Sequence, residues 1–283
     1  MSASRVSFLT VLSLLAFAGN SVLCRIALKE TAIDGASFTT IRLVSGALVL
    51  YVIAASAGRG KPGGGSWASA IALFVYAAAF SFAYVTLSTA TGALILFGAV
   101  QATMITYGWM TGDRLESKQL VGLALALLGL VALLLPGLSA PPVLGSILMC
   151  SAGIAWGVYS LRGRGAGDPA RVTSGNFIRA ALLACILSAV LRDNVQLDLP
   201  GISYAIASGA IASGLGYAIW YSVLPLLKAT SAASVQLSVP LIAAFGGMLV
   251  LGEPITVRFI VASVAILGGI AMVVLSKPQS RSS

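Results

Sequence analysis

Residues 25–42 read RIALKETAIDGASFTTIR, and residues 162–179 read RGRGAGDPARVTSGNFIR. Each stretch opens and closes on arginines 17 positions apart, and the second lies 137 residues after the first. Farther along, Gly112-Asp113 corresponds to Gly252-Glu253 and Gly129 to Gly269, now at an offset of 140, a change that one loop absorbs. Four matched landmarks at nearly constant spacing divide the chain into two related halves, 1–137 and 138–283.

The material around these landmarks is apolar. Of 283 residues, 58% are hydrophobic and 9% charged, whereas soluble domains carry about a quarter charged residues. Mean hydropathy is +1.00, and no polar block exceeds a loop, so the chain reads as an integral membrane protein without a separate soluble domain. A helix needs about 20 apolar residues to cross the hydrocarbon core. Runs of that length occur at 6–27, 37–57, 67–89, 91–111, 119–135, 143–161, 172–191, 202–226, 230–251 and 256–275. The first has features of a secretory signal, with Arg5 before it and Ala16-Phe17-Ala18 as a small-residue site. Its apolar run continues to Leu28, however, and the segment has a repeat partner in mid-chain, so it reads as a span.

Ten spans give an all-α fold, and five per half is an odd number. The second half must therefore enter the membrane from the opposite side, making two inverted five-helix repeats. Such halves, packed about an axis in the membrane plane, can expose a central site to either side in turn. With a cytoplasmic N-terminus, Arg5, Arg59, Lys61, Arg114, Lys118, Arg162, Arg164, Arg171, Lys228, Lys277 and Arg281 fall inside, 11 of the 17 basic residues. That bias places both termini in the cytoplasm, and Trp67 and Trp109 at the inner interface. It also accounts for the net charge of +9 without nucleic acid as a partner.

Histidine is absent, and Cys24, Cys150 and Cys185 sit in apolar runs without carboxylate clusters. Metal sites and Cys-His catalysis are not expected, nor is a cofactor. A lipid enzyme would need paired acids, a histidine or a metal cluster. The acids are instead loop and helix-end residues, and Asp113 and Glu253, each after a glycine, read as caps of the following helix.

The run Ser238-Val239-Pro240-Leu241-Ile242-Ala243-Ala244, then Leu251-Gly252-Glu253-Pro254-Ile255-Thr256 and Gly268-Gly269, resembles the EamA repeat of the drug/metabolite transporter superfamily. Gly112-Asp113-Arg114-Leu115 is similar to the same motif with Asp for Glu, and Gly19-Asn20-Ser21-Val22 resembles the first-helix pattern. The first half departs from the second in having Val100 where Pro240 stands. Within the superfamily the chain looks most like bacterial amino-acid exporters of the YddG type. The resemblance implies a transporter in a bacterial inner membrane that exports amino acids, aromatic ones included, through a cavity lined by helices 1, 3, 4, 6, 8 and 9. A multidrug or other metabolite exporter is the alternative, and a monomer or weak homodimer the expected assembly.

Polar and aromatic side chains inside spans are the candidates for substrate contact, since an unpaired polar group in lipid costs several kcal/mol. Asn20, Gln101 and Gln236 are singled out as bulky uncharged polar residues. Each could instead bond a neighbouring helix. Pro240 has no amide hydrogen, which frees the carbonyl of Gln236. That carbonyl could take a substrate ammonium, or the kink could be satisfied by Ser238 or water. Tyr76, Phe80 and Tyr84 recur every four residues on the third span, Tyr217, Trp220 and Tyr221 cluster on the eighth, and Trp156 and Tyr159 lie on the sixth. Such faces pack helices, and they also suit an aromatic side chain or a cation. Arg42 and Arg179 lie within spans near enough to the ends to snorkel. Gly153 and Gly157, and Ser208, Ala212 and Gly216, form small-residue faces for close helix approach. No mid-span carboxylate or histidine is available for proton coupling, so the expected transport is facilitated diffusion.

Overall fold

The computed structural model describes residues 1–56, 64–111, 116–135, 140–163, 168–227 and 235–275, and among these residues there is no strand. The helices are α1 (Ala3–Glu30), α2 (Gly35–Ser56), α3 (Trp67–Tyr84), α4 (Thr89–Met110), α5 (Ser117–Leu134), α6 (Val143–Gly163), α7 (Pro169–Val190), α8 (Leu199–Leu226), α9 (Val239–Leu251) and α10 (Val257–Leu275). Nine of these described helices are long and apolar enough to cross a membrane, and α9 is shorter. The protein is a multi-pass helical membrane protein. Gly112-Asp113 and the loop cations Arg59, Lys61, Arg114, Arg164, Lys228, Lys277 and Arg281 lie outside the described residues.

Several helices start earlier than their apolar runs because polar caps lie outside those runs. Asp168 Oδ1 accepts the amides of Ala170 and Arg171, with Pro169 in the first turn of α7, where a missing N–H costs nothing. Asp198 accepts the Gly201 amide and starts α8. The helix is interrupted at residues 237 and 238, just before the proline: α9 begins at Val239 with Pro240 in its first turn, and the Ser238 hydroxyl donates to the Val235 carbonyl at 2.6 Å.

The helices alternate in direction, and contacts between connections fall on two opposite faces. At one face Asp34 Oδ1 accepts the amides of Ala36 and Ser37 at 2.9 Å each, while its Oδ2 accepts that of Gln196, also at 2.9 Å. On the same face Arg258 Nη1 donates to the carbonyl of Leu135 at 2.5 Å. At the other face Asn176 Oδ1 accepts the Ser66 amide at 3.0 Å, and Arg179 Nη1 donates to the carbonyls of Gly64 and Gly175 at 2.8 and 2.9 Å.

Packing between helices follows a rule. α2 packs on α7 and α5 on α10, while α3 on α6, α4 on α6 and α3 on α7 have counterparts in α8 on α1, α9 on α1 and α8 on α2. Exchanging each helix for the one five places away maps this set of pairs onto itself. Small residues make the close approaches. Gly153 and Gly157 lay α6 against Leu96, Ala99 and Thr103 of α4. α5 and α10 cross where the α-carbons of Gly122 and Gly269 each abut the other's carbonyl oxygen. Large apolar residues such as Leu128, Val131, Val261 and Val264 on the same two helices are exposed, as a lipid-facing surface requires.

Replacing Gly269 by leucine therefore drives a side chain into the α5 backbone. Overpacking of this kind costs about 1–3 kcal/mol, and the variant is expected to melt earlier in detergent than wild type. A second expectation concerns pH. Burial raises the pKa of the Asp34 carboxyl, but hydrogen bonds from Ser37, Gln196 and Ala36 outweigh it and hold the group below its ordinary value. A depressed native pKa contributes stability that is present above the ordinary value and lost as pH falls through the native one. Asp34→Ala is expected to cost about 1 kcal/mol at neutral pH. Its deficit in thermal melts should shrink once pH drops well below about 4.

Candidate functional site

The inner faces of α1, α3, α4, α6, α7 and α8, with the turn before α9, enclose a cavity of about 590 Å³. That lies within the range of small-molecule sites. Its wall is largely aromatic. The Trp156 ring stacks on Tyr217 at 5.3 Å and contacts Tyr76 at 4.8 Å and Tyr159 at 5.4 Å. Phe17 of α1 continues the surface to Tyr217 and Trp220, with centroids 5.7 and 5.9 Å away. Rings from four helices thus form one connected surface.

Polar groups interrupt this wall at few points. Asn20 Oδ1 accepts the Ser208 hydroxyl at 2.6 Å, which leaves its side-chain NH₂ as the unpaired end. Gln101 and Gln236 also line the space, as do Ser213, Thr173 and Asn176. Among the described residues that line it, none is Asp, Glu, Lys or Arg. The Ser213 hydroxyl is buried with no partner among the described residues.

Asn20, Tyr76, Gln101, Trp156, Tyr159, Tyr217, Trp220 and Gln236 all meet at this cavity. Tyr84 does not. It lies fully buried two turns beyond Tyr76, its hydroxyl bonded to the Thr89 carbonyl at 3.4 Å and its ring against the Gly92 α-carbon. The stripe on α3 is continuous, but the cavity ends at Phe80. α7 contributes residues the sequence reading passes over. Asn176 is a bulky uncharged polar side chain inside a span and meets the criterion that selected Asn20. Phe17, an ordinary apolar residue of the first span, carries no signal of its own.

Arg42 also departs from expectation. It is 2% exposed and turned into the bundle rather than snorkelling, because its helix places it behind Tyr76 and Phe80. Arg179, its sequence counterpart, is half-buried and reaches loop carbonyls, as an anchor would.

One end of the cavity lies at Gly163 and Pro169, where α6 ends and α7 begins. The opposite face is tied shut. Arg25 Nε pairs with Glu253 Oε1 at 3.2 Å, and its Nη1 donates to the carbonyls of Tyr84 and Val85 at 2.8 and 2.9 Å. Glu253 Oε2 in turn accepts the Thr89 amide at 2.7 Å. Glu253 was expected to cap the following helix, but the carboxylate caps the first turn of α4 instead. Gly252, in the left-handed region at φ 64°, ends α9 at this corner. This knot joins α1, the α3–α4 connection and the α9–α10 turn.

A solved crystal structure of another protein superposes with a TM-score of 0.68 at 18% identity, covering 96% of this chain and 98% of that one, and so shares the fold. An uncharacterized Pseudomonas aeruginosa protein is 56% identical over 270 residues, 95% of this chain and 94% of that one. The EamA-like transporter family matches residues 143–275. The second half of the chain therefore carries an EamA-like transporter domain. Among other relatives, a Salmonella typhimurium protein named threonine/homoserine exporter RhtA is 30% identical over 167 residues, 56% of each chain. A probable amino-acid metabolite efflux pump of the same species is 25% identical over 193 residues, covering 63% of this chain and 64% of that one.

The Arg25–Glu253 knot has a chemical reporter in Cys24, which is fully buried next to it. With Cys150 and Cys185 replaced by serine, Cys24 is expected to resist maleimide in the otherwise native protein. In Glu253→Ala it should label at least about tenfold faster, because removing one partner of a buried ion pair costs about 3 kcal/mol or more. Equal labelling rates, read by gel shift, would show that the pair does not hold this face closed.

Proposed function

We propose that the protein exports small zwitterionic metabolites, amino acids with apolar or aromatic side chains foremost, across a bacterial inner membrane by alternating access. The observation that carries this reading is a cavity of about 590 Å³ with an aromatic, uncharged wall, extending to one face while an ion pair ties the other. Rings offer their faces to a hydrocarbon or aromatic side chain and their quadrupoles to an ammonium group. Asn20, Gln101 and Gln236 add hydrogen-bonding ends that orient a polar backbone. The names of the two Salmonella relatives support amino acids as the substrate class, without bearing on the apolar or aromatic side chain.

Direction and mechanism rest on further arguments. The mouth between α6 and α7 is on the face where α1 begins and α10 ends, and the Lys and Arg bias of the sequence supports a cytoplasmic position for that face. The geometry is then that of an inward-facing carrier. The helix pairing, unchanged when the halves are exchanged, supports two inverted five-helix repeats that rock about the cavity. No carboxylate or histidine is found among the described residues that line the cavity, which supports transport down the substrate gradient. A pump for lipophilic cations would call for an acidic residue in this wall.

Counterflow in proteoliposomes tests the reading. Liposomes loaded with unlabelled amino acid should take up labelled phenylalanine or threonine saturably without a pH gradient, and an imposed gradient should drive no uphill accumulation. Trp156→Ala removes the ring that joins three aromatic neighbours and is expected to weaken phenylalanine exchange about tenfold. Absence of flux for every amino acid tried, in protein shown to be folded, would overturn the proposal.

A further inference from the structure

The Arg42 guanidinium is buried inside the bundle, and among the described residues no carboxylate pairs with it. Its Nη2 donates to the Tyr76 hydroxyl at 3.1 Å, while Nε and Nη1 have no hydrogen-bond partner among the described residues. The charge lies over two rings, 4.9 Å from the Phe80 centroid and 5.3 Å from that of Tyr76. Its other polar neighbours are the Tyr217 phenol and the Cys24 thiol. Arginine stays protonated in proteins, so a whole positive charge is held in apolar surroundings with part of its donor set unused. An apolar residue of similar size would fill this place at far lower cost if the role were only to pack.

The position of the charge relative to the cavity gives it a use. Tyr76 and Phe80 form the layer between Arg42 and the cavity, and both line it. A phenol oxygen that accepts from Arg42 keeps its own O–H proton free to donate elsewhere. Of the surroundings of Tyr76, the cavity is the side where an acceptor can arrive. The guanidinium makes that proton a stronger donor and places positive potential behind it, in a medium that screens charge weakly. An ammonium gains nothing from this arrangement and a neutral amide only a hydrogen bond to its carbonyl oxygen, whereas a carboxylate gains both the hydrogen bond and the charge.

We propose that Tyr76 and Arg42 together form the subsite for the substrate's carboxylate, with the Tyr76 hydroxyl as the contact and Arg42 as the positioning residue behind it. The inference rests on the transporter reading above and adds to it the part of the substrate that is required. Substrates are then carboxylate-bearing metabolites, which the site prefers over their amides and the corresponding amines.

The experiment compares two competitors of labelled phenylalanine counterflow that differ only at the carboxyl group, L-phenylalanine and L-phenylalaninamide. Wild type is expected to favour the carboxylate by about tenfold or more, in keeping with the strength of hydrogen bonds to charged groups. In Arg42→Gln the ratio should fall towards one, in Arg42→Lys most of it should survive, and in Tyr76→Phe it should drop while the aromatic wall stays in place. A merely structural lesion weakens both competitors alike and leaves the ratio unchanged. Should Arg42→Gln fail to fold, Tyr76→Phe decides: an unaltered ratio overturns the subsite. Equal inhibition by the two competitors in wild type overturns it also, while leaving the transporter reading intact. No counterflow of any probe by folded protein overturns both.

Discussion

A polar group in hydrocarbon has no water to fall back on, and this constraint orders the whole bundle. Many hydroxyls bond back to the preceding turn of their own helix, as Ser13 does to Leu9 and Ser81 to Ala77, and a smaller set of polar groups reaches across to another element. The Thr40 hydroxyl of α2 meets the Ala184 carbonyl and Ser188 on α7, Asn20 of α1 meets Ser208 on α8, and Arg258 at the start of α10 closes the carbonyls at the end of α5. These contacts fix which helices are neighbours more sharply than apolar packing can, since lipid competes equally well for a leucine. The groups that lack partners, Arg42 and Ser213 among them, are correspondingly informative.

Small residues supply the complementary half of the design. Gly209 of α8 presses its backbone against the Arg42 carbonyl and the Ser45 hydroxyl of α2, and Gly46 of α2 lies beneath Phe177 of α7. Close backbone contact is also what allows large rings to converge on the other side of the same helices. Where α2, α7 and α8 approach most tightly, α8 presents Tyr217 and Trp220 to the cavity.

The fold was largely legible in the sequence because span length is set by the bilayer and charge bias by topology, and both appear in composition. Helix ends were less so, since the caps Asp168 and Asp198 stand outside the apolar runs that were counted. At the site, polarity within a span singled out Asn20, Gln101 and Gln236, and aromatic clusters Trp156 and Tyr217, all of which line the cavity. Tyr84 shows the limit of the method. A helical stripe is periodic without end, whereas a cavity has a floor, and only packing against α4 shows where it lies. Arg42 was misread for a related reason: depth along a helix is visible in sequence, but the direction in which a side chain turns depends on neighbours from α3 and α8. The carboxylate of Glu253 likewise went to a helix distant in the chain rather than to the next one.

α8 is not α-helical throughout. Residues Ala207–Leu215 form a π-helical stretch between the α-helical segments Leu199–Ile206 and Gly216–Val223. Its wider turns advance the chain around the axis more slowly than the helix on either side. The length of the stretch therefore sets the rotational phase between the two ends of α8. The end that packs against α2 and the end that carries Tyr217, Trp220 and Tyr221 are held in register by these nine residues. Conversion of even part of this stretch to α-helix would turn the aromatic end about its own axis without breaking the helix. In that sense the segment is a phase adjuster, and the identity of the side chains facing the substrate depends on it as much as on the sequence of the wall.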